Sequence, residues 1–98
     1  MGNAVKDYLV RTGMTETTAD QICEPLSRHA DIEAELLRSL EDGAYVADDP
    51  VKVEGYTAKD IAELAPFMSY VGAYNFLVTL REDPDQAKEW IAQGFPRK

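Results

Sequence analysis

The chain is poor in the residues that most often carry chemistry: one cysteine and one histidine in 98 residues. Cys23 has no second thiol to pair with, so an internal disulfide is excluded, and with His29 alone beside it no Cys/His cluster exists to hold zinc. A lone thiol suits a reducing compartment, and a cytoplasmic location is the expectation. Long apolar runs are missing too; none approaches the roughly 20 residues a helix needs to cross a bilayer. The opening "MGNAVKDYLVRTG" carries Asp7 and lacks an extended apolar core, which argues against a secretory signal, and Lys6 stands where a myristoylation start wants Ser or Thr. Gly43, Gly55 and Gly72 are too scattered to form a phosphate-cradling loop, and no Walker-type run follows any of them. With no convergent set of nucleophile, base and oxyanion donor, the expectation is a non-enzymatic chain without cofactor or metal. His29, beside a helix end, is expected to meet terminal carbonyls rather than to act as a base.

Basic side chains are outnumbered, 10 against 18 acidic, for a net charge of −8. The excess is concentrated in residues 14–50, where ten acids face only Arg28 and Arg38. Such a field repels phosphate backbones and attracts basic surfaces, while also serving solubility. Glu33, Glu35, Glu41, Asp42, Asp48 and Asp49 are the side chains expected to form a partner-binding acidic face. A calcium loop is not supported, because these acids lack the alternating oxygen ligands and the terminal Glu.

What is present is helix-forming. A chain of 98 residues with 45% hydrophobic content suits one core. "NAVKDYLVRTG" spaces Val5, Tyr8 and Leu9 behind an Asn3 cap and stops at Gly13. "TETTADQICEPLSRH" is capped by Thr15, sets Ile22 and Leu26 on one side, and is expected to bend or divide near Cys23 because Pro25 lacks an N–H. "DIEAELLRSLEDG" reads as capped by Asp31, with Ile32, Leu36, Leu37 and Leu40 inward, Glu33, Glu35, Arg38 and Glu41 outward, and Gly43 as its stop. "VKVEGY" alternates like an extended arm with no second strand to pair with. "TAKDIAEL" restarts a helix with Thr57 and Asp60 as a capping box, closed by Ala65-Pro66. "MSYVGAYNFLVTLRED" is apolar around most of its circumference and is expected to be the central helix, Gly72 marking close approach by a neighbour. Asp83-Pro84 opens a last helix through Ala87, Trp90 and Ile91 to Gly94.

The expected fold is therefore all-α: a compact bundle of five or six short helices over residues 1–98. Acidic N-terminal helices (1–43) are followed by the arm (51–56, extended over about 51–54), C-terminal helices (57–94) and a basic tail (95–98). The expected core comprises Leu36, Leu37, Leu40, Ile61, Leu64, Val71, Tyr74, Leu77, Leu80, Trp90 and Ile91. The aromatic residues, at helical spacing, are assigned to packing rather than to a base-stacking platform.

The pair "GYTAKDIAEL" and "SYVGAYNFLVTLRE" has the order of a DNA-reading helix-turn-helix. Its chemistry is unsuited: residues 57–82 hold two basic and three acidic side chains, and no cation precedes Arg81 on the second helix. Protein binding through the acidic face, to a basic partner or alongside a second copy of the chain, is the favoured expectation, with nucleic acid and membrane disfavoured. The rivals are a helix-turn-helix regulator using Lys59, Ser69, Asn75 and Arg97-Lys98, and an acidic DNA mimic that occupies a DNA-binding protein's groove.

The succession "VKVEGYTAKDIAE", "GAYNFLVTLREDP" and "GFPRK" resembles blocks in small bacterial helical proteins of unassigned activity. The resemblance covers roughly the C-terminal half, from Val51 to Lys98. It implies a shared helical fold and carries over no catalytic or ligand residue.

Overall fold

Side-chain caps mark out most of the helices. In the computed structural model, which describes residues 4–94, the order is α1 (Ala4–Arg11), α2 (Glu16–Ser27), α3 (Ala30–Asp42), α4 (Ala58–Leu64), α5 (Tyr70–Glu82) and α6 (Pro84–Ala92). Thr15 opens α2 by accepting from the Thr18 N–H, and Ser69 opens α5 by accepting from Gly72. Thr57 and Asp60 form the reciprocal capping box of α4, and Asp83 with Pro84 behind it opens α6. Gly43 ends α3 in the left-handed conformation, φ 70°. The expected Asn3 cap and the 95–98 tail lie outside the described residues.

Two boundaries differ from expectation. Helix α2 is not divided: it runs through Pro25, which sits in its last turn, where the missing N–H forfeits a single bond near the end. Helix α3 begins two residues earlier than an Asp31 cap would set it, at Ala30, with His29 at its N-cap and no side-chain cap. Asp31 is instead drawn to Arg81 of α5, whose Nη1 and Nη2 donate to its two carboxylate oxygens at 2.9 and 3.0 Å.

The extended arm is a tight reversal. Val53 and Tyr56 exchange backbone N–H···O bonds of 2.9 Å in each direction as an isolated antiparallel bridge. Glu54 and Gly55 between them both take positive φ, 54° and 86°, as a two-residue turn of this hand requires.

Helix α5 is the central element, packed against α2, α3, α4 and α6, while α1 covers α2 and α3. Its buried set, Ala73, Tyr74, Phe76, Leu77, Val78 and Leu80, covers more than half of the helix circumference and leaves Val71, Gly72, Asn75 and Thr79 partly exposed on the remaining side. Around it lie Leu26, Ile32, Leu36 and Ile61, all fully buried, with Val5 and Leu9 of α1 beyond. Alanines complete the contact: Ala19, Ala58, Ala65, Ala73 and Ala87 are buried where a larger side chain would hold the helices apart. Of the expected core, Leu37, Leu40, Val71 and Ile91 are only partly buried, and two members are displaced outward. Leu64 is 49% exposed because it lies off the face shared by Ala58, Ile61 and Ala65. Trp90, 41% exposed, rests on Phe76 at 6.1 Å between ring centroids and leaves its outer side in solvent. No described helix is long and apolar enough to cross a membrane.

Candidate functional site

The six acids expected on one face divide into three groups. Glu41 and Asp42, in the last turn of α3, and Asp48 and Asp49, in the following loop, are all exposed. These four have no ion pair among the described residues. Glu33 is partly buried on α3. Glu35 is not on the surface at all: it is 6% exposed, and its Oε1 accepts the Val51 N–H at 2.7 Å. The inward face of α3 is Ile32, Glu35, Leu36 and Ser39, a stripe of spacing i, i+3, i+4, i+7. The expected apolar stripe of Ile32, Leu36, Leu37 and Leu40 was rotated from it because two inward positions are polar.

Those polar positions build a buried network. The Ser39 and Tyr74 hydroxyls lie 2.7 Å apart, and burial pushes the Tyr74 phenol up to about 12, with the Glu35 carboxylate adding to the rise. Tyr45, on the loop, meets Tyr70 edge-on at 4.6 Å and stands 6.2 Å from Tyr74. The loop thus folds back over α3 and α5. Asp48 and Asp49 lie on this loop, which runs from the C-terminal end of α3, at Gly43, back to the level of Glu35, a helix span of roughly 12 Å.

The end of α3 carries a negative field of its own. A helix C-terminus holds about half a negative charge on its free carbonyls, and the last turn of α3 has no basic residue to offset it. Glu41 and Asp42 add to that charge. Elsewhere cations are engaged within the fold: Lys6 with Asp20 at 2.8 Å, Lys88 with Glu54 at 2.6 Å, and Arg81 with Asp31.

A second charged group joins the α2–α3 corner to the end of α5. Arg28 donates from Nε and Nη2 to the two Glu82 oxygens at 3.1 and 3.2 Å, and His29 Nε2 lies 2.7 Å from Glu82 Oε2. His29 is therefore engaged by a carboxylate rather than by helix carbonyls. Arg28, then His29, hold the Glu82 carboxyl down at about 2. The cluster contains no nucleophile, and its geometry is that of a clasp.

Two of the helix-turn-helix residues, Ser69 and Asn75, are spent within α5. The Asn75 amide donates to the Val71 carbonyl, Thr79 donates to the Asn75 carbonyl, and Ser69 is spent as the α5 cap. Lys59 is exposed on α4, and Arg97 and Lys98 lie outside the described residues. Cys23 is buried, which pushes its thiol up and keeps it protonated. A shallow cleft lined by Lys6, Asp20, Cys23, Glu24 and Ser27 shows no convergent catalytic set. Among the described residues no group of three or more His, Cys, Asp and Glu side chains is placed to hold a metal ion.

No protein-family model, curated protein or solved structure matches the chain.

Proposed function

We propose that the chain is a non-enzymatic protein-binding module that docks a basic segment of another protein at the end of α3. The reading is carried by one observation: Glu41 and Asp42 are exposed and unneutralised in the last turn of a helix whose C-terminus has the same sign, and Asp48 and Asp49 are exposed and unneutralised in the loop that follows. A Lys- or Arg-bearing segment would relieve that repulsion on binding, and long-range attraction would speed encounter. The reading is preferred to DNA recognition because the side of α5 left partly exposed, Val71, Gly72, Asn75 and Thr79, carries no cation, and the helix has no basic residue before Arg81.

The test is a titration of the chain with short Lys/Arg peptides, and with duplex DNA in a parallel arm, at two ionic strengths. Saturable, salt-sensitive peptide binding is expected, lost in the E41Q/D42N/D48N/D49N variant and retained when Glu63 and Glu89 are neutralised instead. Equal binding by both variants, or retardation of DNA with no peptide binding, overturns the proposal. Displacement of DNA from a DNA-binding protein would make the basic partner a nucleic-acid-binding surface.

A further inference from the structure

We infer that residues 44–51 form a strap that opens as a unit while the six helices stay packed, with Glu35 as its internal latch. Its functional meaning rests on the proposal above, since opening would carry Asp48 and Asp49 away from Glu41 and Asp42.

Four observations carry the inference. First, among the described residues no backbone–backbone hydrogen bond joins residues 45–52 to the rest of the fold; the nearest are Ala44 N–H to Ser39 O and the Val53–Tyr56 pair. The strap is held through side chains: Glu35 on the Val51 N–H, the Tyr74 hydroxyl on the Val46 backbone, and Tyr45 on Tyr70 and Tyr74. Second, the bundle's core is complete without it, because none of the buried hydrophobic residues belongs to 44–51; Tyr45 and Val51 only pack against that core. Third, the surface beneath is partly polar. Opening would expose the Glu35 carboxylate and the Ser39 and Tyr74 hydroxyls, all of which water can solvate, so the cost is smaller than that of baring an apolar seam. Fourth, Gly43 supplies a hinge: its φ of 70° is readily adopted by glycine, and nothing lies within 4 Å of where its Cβ would be.

Closure is favoured by the carboxylate acceptor on the part-buried Val51 amide, by the Val46 backbone beside the Tyr74 hydroxyl, and by the contacts of Tyr45 with Tyr70 and Tyr74. A basic segment that binds all four acids would select the closed strap, so the latch sets how much of the chain is competent to bind.

Hydrogen exchange measured by NMR on the full chain tests the latch without any partner. Glu35→Ala removes the acceptor and is expected to speed Val51 amide exchange by about tenfold or more, while Phe76, Leu77 and Val78 in α5 keep their protection. Glu35→Gln, which retains an acceptor oxygen without the charge, should fall between. Should Glu35→Ala fail to fold, Tyr45→Ala removes another anchor without touching the carboxylate and should loosen Val51 in the same selective way. An unchanged Val51 rate in the folded variant, or α5 amides accelerating together with Val51, overturns the strap. Because exchange is read in the free protein, a failed peptide titration leaves this result standing, and a failed latch leaves the acidic face to be judged by binding alone.

Discussion

A methyl group added at position 72 would meet nothing closer than the Met68 Cβ at 3.6 Å, an ordinary contact with the chain's own preceding loop. Glycine inside an apolar helix implied a close neighbouring helix, yet the nearest atoms belong to Met68 and Ser69, just ahead of α5. Gly72→Ala should therefore raise stability by roughly 1 kcal/mol through helix propensity alone, read as a higher urea midpoint at unchanged slope. A lower midpoint would reveal a tighter approach than the Cβ geometry allows. Glu35 teaches the opposite lesson. A glutamate on a helix is ordinarily a solvent-facing residue, and its inward position becomes intelligible only with Val51 and Tyr74 beside it, 16 and 39 residues along the chain. The same applies to the buried alanines, whose small size gives no hydrophobic stripe to read. Local chemistry was legible at Thr15, Thr57 with Asp60, Gly43 and Asp83-Pro84, because each cap is completed within a few residues.

At the scale of the element, α3 combines an inward polar stripe with an outward negative terminus. Glu41 and Asp42 oppose its dipole, so replacing both with lysine should stabilise the helix by about 0.3–1 kcal/mol each at low ionic strength. The same double variant should lose basic-peptide binding. Thermal denaturation and titration on one preparation would check both halves, and a lowered melting temperature would mean that these carboxylates support the fold in some other way. Helix α5 was legible as central because it is apolar around most of its circumference, but its partners were not, since pairing depends on where the intervening turns send the chain. The helix-turn-helix order was legible as a pattern of lengths and caps, which packing and DNA reading share. The lack of a cation on α5 before Arg81 is what argues against DNA reading.

Across the whole molecule, the Arg28–His29–Glu82 clasp and the Arg81–Asp31 fork join the corner between α2 and α3 to the end of α5. The folded Glu82 carboxyl lies at about 2, below its ordinary 4.5, so the folded state favours its charged form. Its stabilisation is complete above pH 4.5 and is lost as the pH falls toward 2. The melting temperatures of the native chain and Glu82→Gln should therefore differ at pH 7 and converge near pH 2. A gap independent of pH would place the stabilisation outside the clasp. The acidic region was legible from charge counts alone, whereas the division among Asp31, Glu35 and the four exposed acids required the fold, because a count cannot say which carboxylates have partners. The central place of α5 also bears on how the chain is made. Residues 70–82 are synthesised after α2 and α3, so a growing chain carries the α5-facing sides of those helices uncovered until this segment emerges. During that interval Leu26, Ile32 and Leu36 offer the apolar surface that chaperones engage, and a chain ending before Tyr70 would be bound for aggregation or proteolysis.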